Sequence, residues 1–154
     1  MSYQAYLDGL PKKRMGAGCL FFSAVGDLLL LKPTYRDDWL IPGGVTEGNE
    51  SPRQACIREV KEEIGIECVP QRLLCVDYIN AIGGYSEAIQ FVFLGGTISP
   101  GDIVIAEDEI SDFRFAKFKD AMVLLGKHAE RRIFWSLEST KSERTAYLEN
   151  HEPV

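Results

Sequence analysis

The sequence predicts an α/β fold in which helices cover both faces of a mixed β-sheet, an α/β/α sandwich. Three observations favour it: short apolar runs typical of strand hairpins, one strongly capped helix in the middle, and helical patterns near the C-terminus. A chain of 154 residues is near the commonest size of one compact domain. We therefore expect a single domain over residues 1–154.

The predicted strands lie on both sides of the central helix. Two short apolar runs, MGAGCLFFS and DLLLL, are parted by Ala-Val-Gly, which indicates a hairpin. Longer runs after the central helix, one of them reading EAIQFVFL, predict strands joined by the turn AIGGYS. Alternating phenylalanines indicate a further strand. The predicted strands are 15–23, 27–31, 39–41, 68–79, 87–94 and one around Phe113 and Phe115.

The central helix has clear end signals. Ser51 is a good N-cap, Pro52 suits the first helical position, and Gln54 can complete a capping box. Gly65 supplies the left-handed residue that ends many helices. The helix is therefore predicted to begin after Ser51 and to end at Gly65.

The C-terminal part is predicted to be helical over residues 120–137, with a break at Gly126. The segment 127–137 could close over a pocket or form a subunit interface. The tail from Glu138 is polar, so we expect it to be peripheral and partly helical or loose.

The net charge of −6 argues against a protein that binds duplex nucleic acid, because such binding depends on Lys and Arg. A small anionic substrate remains possible through local positive groups or a metal. Neither a signal-like segment nor an apolar run of membrane-spanning length is apparent. We expect a cytoplasmic protein.

The cysteines and histidines suggest no metal knuckle or redox motif. The four cysteines lack a C-x-x-C pair, so we expect buried, apolar-like side chains. His128 and His151 are isolated near the C-terminus, where an ordinary surface role is expected.

The central helix crowds three carboxylates within little more than one turn. Periodicity places Glu59, Glu62 and Glu63 together on an outward face, where like charges repel by roughly 0.2–0.5 kcal/mol for each pair. Such a run can be a solvated helix face. Here the preceding GGVTEGNE allows close backbone approach and brings more acids, and Arg58 can bind a carboxylate such as Glu50. Oxygen ligands on successive turns suit a hard divalent cation.

The segment GGVTEGNESPRQACIREVKEEIGI resembles the box of the Nudix family, G-x5-E-x7-R-E-U-x-E-E-x-G-U with U a bulky aliphatic residue. The box covers 44–66, and WLIPG before it is also similar to the family. The matching positions are Gly44, Glu50, Arg58, Glu59, Val60, Glu62, Glu63, Gly65 and Ile66.

The resemblance implies hydrolysis of a nucleoside diphosphate linked to another group, with Mg²⁺ or Mn²⁺, by a loop-helix-loop in an α/β/α sandwich. Glu59 and Glu63 match the principal metal ligands. Glu62 matches a further ligand, direct or through water, and Gly43 matches a backbone carbonyl ligand. A homodimer is common in the family.

The resemblance also implies roles for other acids of the site. Glu50 and Arg58 match the pair that orients the loop. The general base could be Glu62 or Glu109, the latter on a later loop. Glu107 and Asp108 are close competitors, and each could equally be a solvated loop acid.

Substrate contacts are less specifically indicated. Lys32 and Arg36 could bind phosphate, and Trp39 or Tyr35 could stack on a base or ribose, although surface charge and core packing are equally plausible roles. Side chains on neighbouring strands that could line the pocket are Tyr78, Asn80, Tyr85 and Gln90.

Two other functions use the same fold. A Nudix-fold sensor would bind a nucleotide without cleaving it, but such modules generally lose box carboxylates that are kept here. An isoprenoid diphosphate isomerase would show an additional Cys and His metal site, which this sequence does not show. The hydrolase is therefore the favoured hypothesis.

Overall fold

A computed structural model describes residues 1–127 and 129–154. Over these residues the chain forms a mixed sheet with helices on both faces, which confirms the predicted α/β/α sandwich. The helices of the described residues are α1 (Tyr3–Asp8), α2 (Pro52–Ile64), α3 (Phe118–Leu124) and α4 (Glu130–Ser139). The strands are β1 (Arg14–Phe22), β2 (Leu28–Pro33), β3 (Gly43–Val45), β4 (Arg72–Ile79), β5 (Ala88–Thr97), β6 (Ile110–Ala116), β7 (Ala146–Glu149) and β8 (Glu152–Pro153).

The sheet has the order β6-β2-β1-β5-β4-β7-β8, and the short strand β3 pairs with β1. Strand β1 runs parallel to β5 and antiparallel to β2 and β3. Strand β4 runs antiparallel to β5 and parallel to β7. The predicted hairpin between β1 and β2 is therefore confirmed, and β1 lies at the centre of the sheet.

An apolar layer lies on each face of the sheet. Helix α2 packs on one face, and α3 and α4 pack on the other. Because side chains alternate along β1, Cys19 and Phe21 face α2 whereas Leu20 faces the other layer. Strand β2 is buried on both faces, so it reads as a continuous run of leucines.

Helix α2 has the predicted ends. Ser51 Oγ accepts a hydrogen bond from the Gln54 amide at 3.1 Å, and Gln54 Oε1 accepts one from the Ser51 amide at 2.9 Å. Gly65 ends the helix with φ of +72°. These local signals fix the helix that carries the box.

One predicted strand differs from the structure. The strand expected at 39–41 forms only isolated bridges, through Trp39 and Leu40, and the strand of this region is β3. The helical segment predicted at 120–137 with a break at Gly126 is two helices, α3 and α4, with Gly126 between them, so the predicted break is confirmed. A Cβ on Gly126 would lie 2.3 Å from Asp38 Oδ2, so a side chain there would have to displace the Asp38 carboxylate.

The tail from Glu138 joins the sheet rather than lying loose. Helix α4 ends at Ser139, and β7 then pairs with β4, burying Leu148 completely. Four residues are too few to show strand periodicity, which is why the sequence did not predict β7. The tail therefore contributes to the core.

The four cysteines are buried with free thiols, as predicted. None of the helices in the described ranges combines the length and apolar character that crossing a bilayer requires. His128 lies outside the described residues.

Candidate active site

Strand β3 holds the glycine pair of the box against β1 and α2. At Gly43, φ is +151°, and a Cβ would lie 2.2 Å from the Ala17 carbonyl oxygen. At Gly44, a Cβ would lie 2.5 Å from the carboxylate carbon of Glu59. Gly43 therefore requires glycine for close backbone approach, whereas a side chain at Gly44 would displace the Glu59 carboxylate.

Arg58 binds the carboxylates that crowd the helix. Its Nε and Nη2 donate to the two oxygens of Glu50 at 2.7 and 2.9 Å, a bidentate pair. Its Nη1 donates to Glu59 at 2.9 Å and to Glu62 at 3.1 Å. Its Nη2 also donates to the Val45 carbonyl at 3.1 Å, so one guanidinium ties helix and loop together.

The Arg58 contacts explain how the helix tolerates its acids. Hydrogen bonds from Arg58 and from the Glu47 amide lower the pKa of Glu50 to about 2. The hydrogen bond from Arg58 to Glu50, and then the one to Glu59, raises the pKa of Arg58 against the effect of burial. Glu50 and Arg58 thus form a charged pair at neutral pH that joins the loop to α2.

Glu63 points inward, which corrects the prediction of an outward acidic face for all three glutamates. Its side chain is nearly buried, at 8% exposure, and it accepts a hydrogen bond from the Gly43 amide at 2.7 Å. Burial first, and then the charges of Glu59, Glu109 and Glu62, raise its pKa to about 8, although the hydrogen bond from Gly43 acts in the opposite direction. The helix turns this carboxylate toward β3.

Glu59 lies beside Glu63 on the same side of α2. Burial raises its pKa, and the hydrogen bond and charge of Arg58 oppose that effect. Glu62 and Glu109 act in the same direction as burial. The glutamates of the box thus repel one another at short range. Arg58 offsets this repulsion only in part, through its hydrogen bonds to Glu59 and Glu62.

The loop before β6 is fixed against the end of α2. The Val104 amide donates to the Ile64 carbonyl, and the Ala106 amide donates to the Glu63 carbonyl, both at 3.0 Å. This places Glu109 close enough to raise the pKa of Glu63. Glu107 and Asp108 lie in the exposed turn before it. Of the three loop acids, Glu109 is the one whose charge acts on the box.

A family model of the NUDIX domain matches residues 12–136. The chain belongs to the Nudix family. Its complete box, including the inward Glu63, lies within the matched segment.

The Nudix chain is also similar to individual proteins. It is 39% identical over 61 residues to an RNA pyrophosphohydrolase of Hydrogenovibrio crunogenus and 42% identical over 66 residues to a human diphosphoinositol polyphosphate phosphohydrolase 2. These matches cover 40% and 41% of this chain, and 37% and 36% of the relatives' length. The solved Nudix domain of Shewanella oneidensis NrtR, complexed with ADP ribose, matches with a TM-score of 0.71 at 15% identity, over 92% of this chain and all of that one.

The donor set of this Nudix site fits the divalent cation that the family generally uses. Glu59, Glu62 and Glu63 supply hard carboxylate oxygens, and Gly43 lies against Glu63. In residues 1–127 and 129–154, no three acidic, Cys or His side chains form a ready cage. Mg²⁺ usually binds one or two carboxylates and completes its shell with water and phosphate oxygens, so a cage is not required.

Of the predicted substrate residues, the structure brings Gln90 to the lining of the cavity beside the box and leaves the others outside it. The Lys32 ammonium donates to the carbonyls of Pro33 and Arg36. Arg36 pairs with Asp38 at 3.1 Å on the surface, and the Trp39 ring lies under the Arg114 guanidinium. The remaining predicted positions outside the cavity lining are Tyr35, Tyr78, Asn80 and Tyr85, whereas Gln90 lines it.

A charged cluster near this cavity was not predicted. Asp77 is fully buried and accepts hydrogen bonds from Arg132 Nε at 2.9 Å, the His151 amide at 3.0 Å and His151 Nδ1 at 2.8 Å. The surface role expected for His151 is therefore wrong. The sequence did contain one signal, because Asp77 lies within the apolar run RLLCVDYI. Buried acids are rarely unpaired, so this position predicts a partner for the carboxylate.

Replacing Asp77 with asparagine is expected to destabilise the protein at pH 7 by roughly 2–4 kcal/mol, because it leaves Arg132 buried without its counter-charge. Burial raises the Asp77 pKa, but the hydrogen bond from His151 and the charge of Arg132 outweigh it and lower the pKa below its ordinary 3.8. A carboxyl group whose pKa is lower in the folded state stabilises the fold at pH values above its pKa in the unfolded state. This contribution is lost as the pH falls through its pKa in the folded state.

Urea unfolding of both proteins at pH 7 and at pH 3 tests the Asp77 prediction. The difference in unfolding free energy should shrink at pH 3. An equal difference at both pH values would contradict a role for the Asp77 charge. Asp112→Asn, on an exposed position of β6, is the control.

Proposed function

We propose that the chain is a pyrophosphohydrolase that uses Mg²⁺ or Mn²⁺ to cleave a diphosphate bond in a nucleoside diphosphate linked to another group. The observation that carries this proposal is the complete box with its carboxylates beside the glycine pair and Arg58 bound between them. A relative is named as an RNA pyrophosphohydrolase, and a structural neighbour is complexed with ADP ribose. Both names support a nucleotide-type diphosphate substrate.

Glu59 and Glu63 would hold the cation, with Glu62 as a further ligand. A bound cation would neutralise charge on the phosphate oxygens and lower the pKa of a water molecule bound to it. Burial, and after it the repulsion from neighbouring acids, raises the pKa of Glu63, and a bound cation would favour its charged form.

Arg58 and Glu50 position the site rather than react. Arg58 fixes α2 to the loop through Glu50 and the Val45 carbonyl, while Glu50 accepts the Glu47 amide at 3.0 Å. These bonds fix the position of the glycine pair relative to Glu59. The groups that would meet the substrate phosphates are therefore in place before the substrate binds.

Glu109 is the better candidate for the general base. Glu62 already accepts a hydrogen bond from Arg58 Nη1 at 3.1 Å, which makes it a weaker proton acceptor. Glu109 lies on a separate loop that is anchored to the end of α2, and its charge acts on Glu59 and Glu63. It would accept a proton from the attacking water.

Glu109→Gln is expected to lower kcat by about 10²–10⁴-fold with little change in KM, because glutamine keeps the shape but accepts no proton. Glu62→Gln is expected to have a smaller effect on kcat. Steady-state kinetics on the best substrate measure both. A larger loss in Glu62→Gln than in Glu109→Gln would reverse the assignment, and Glu107→Gln is the matched control on the same loop.

A substrate panel tests the proposed activity. Phosphate or pyrophosphate release is measured on ADP-ribose, nucleoside triphosphates, oxidised nucleotides, dinucleoside polyphosphates and nucleotide sugars, each with Mg²⁺, Mn²⁺ or chelator. Metal-dependent turnover on at least one class is expected. Absence of turnover throughout, with thermal stabilisation by a nucleotide, would instead indicate a non-catalytic nucleotide-binding domain.

A further inference from the structure

A cavity of about 190 Å³ opens beside the glycine pair, between the sheet and α4. It is smaller than the roughly 300 Å³ of pockets for drug-sized ligands, so it suits a single ring system. Its walls include Ile41, Phe91 and Ile133, with Gln90 as a neutral polar group. A group attached to a diphosphate at the box would therefore reach a narrow, largely apolar space.

Arg132 is the charged side chain among the described residues that line this cavity. Its side chain is 15% exposed, and its Nε is fixed by the fully buried Asp77. Its Nη2 lies 3.5 Å from His151 Nδ1, which in turn binds Asp77. Asp77 and His151 therefore occupy one side of the planar guanidinium and hold its orientation.

The charge of this cluster disfavours a further phosphate in the cavity. Asp77 already offsets the positive charge of Arg132, and the apolar walls give little solvation to an extra anion. A neutral group that accepts hydrogen bonds avoids this cost, because arginine offers only donors. The cavity thus suits a flat, uncharged ring with acceptor atoms on its edge.

We infer that Arg132, held by Asp77, is a specificity-determining residue that selects, in this cavity, nucleobases with a carbonyl oxygen at purine C6 or pyrimidine C4, called keto bases here. The inference rests on the proposed function, which places the diphosphate at the box. Guanine O6 and uracil O4 can accept from the guanidinium, whereas adenine and cytosine carry an amino group at the same position, so donor would face donor. Gln90 both donates and accepts, so it does not discriminate; Arg132 does.

Equilibrium titration with GMP, UMP, AMP and CMP in the presence of chelator tests the inference without requiring turnover. GMP and UMP are expected to bind at least about tenfold more tightly than AMP and CMP, within the range of one good base contact. Arg132→Lys, which keeps the charge but loses the planar fork, should reduce this ratio to about threefold or less. Arg131→Lys, on the same helix but paired with Glu152 at the surface, should leave it unchanged.

The inference is overturned if the wild-type protein shows no preference for keto bases, or if it binds no nucleotide detectably. It is also overturned if folded Arg132→Lys keeps the preference of the wild-type protein. If Arg132→Lys fails to fold, the charge-balanced pair Asp77→Asn with Arg132→Gln replaces it, with the same expected loss of preference. Hydrolysis of the panel without a keto preference contradicts only this inference. A keto preference without hydrolysis contradicts only the proposed activity.

Discussion

Glu63→Gln is expected to lower kcat/KM on the order of 10³-fold while making the protein more heat-stable at pH 9 in chelator. The activity falls because the amide removes an anionic ligand beside Gly43. The stability rises because Glu63 has a pKa of about 8 in the fold, above its ordinary 4.5. An acid whose pKa is raised in the folded state contributes stability at pH values below its pKa in the unfolded state. That contribution is lost as the pH rises through its pKa in the folded state.

The two effects of Glu63→Gln are measured by steady-state kinetics with Mg²⁺ and by thermal unfolding between pH 5 and pH 9 in chelator. The melting temperatures of variant and wild type should converge at pH 5. Glutamine retains an oxygen that can accept the Gly43 amide, so the fold itself should persist. Glu67→Gln, an exposed acid just beyond the helix, is the control. Undiminished turnover in Glu63→Gln would contradict the assigned ligand.

Arg58→Ala is expected to destabilise the protein by roughly 2–4 kcal/mol and to abolish most activity. Removing one partner of a fully buried pair costs about 3–5 kcal/mol, and the lower figure reflects the 23% exposure of the Arg58 side chain. Glu50 would lose its bidentate partner, and Glu59 and Glu62 would repel each other without a nearby cation.

Urea unfolding and kinetics on the same preparations separate the two effects of Arg58→Ala. Arg58→Lys should recover part of the stability but little activity, because an ammonium cannot bind Glu50 bidentately and also reach Glu59 and Glu62. Arg53→Ala, on an exposed position of α2, should behave like wild type. Full activity in a folded Arg58→Lys would show that charge alone positions the loop.

The sequence predicted the parts of the site that depend on local signals. Ser51, Gln54 and Gly65 specify the ends of α2 through bonds to residues three or four positions away, so spacing alone revealed them. The box glutamates follow from the same short segment. The inward direction of Glu63 did not follow, because it depends on β3, which the sequence placed at 39–41 instead of Gly43–Val45.

The cluster around Asp77 shows why other features were not predicted. Arg132 and His151 lie 55 and 74 residues along the chain from Asp77. Arg132 reaches Asp77 because α4 packs on β4, and His151 reaches it because the tail adds β7 beside β4. No short-range pattern encodes such a contact. The position of Trp39 also depends on a distant contact, because its amide donates to the Leu124 carbonyl at the end of α3.

Binding of Mn²⁺ to the wild-type protein and to the double variant Glu59→Gln with Glu63→Gln tests the central claim most directly. Electron paramagnetic resonance of free Mn²⁺ in a titration gives the number of bound ions for each folded protein. The account predicts at least one bound Mn²⁺ per wild-type chain and loss of that site in the double variant. Equal binding by both proteins would contradict the assignment of the acidic face of α2 as the cation site.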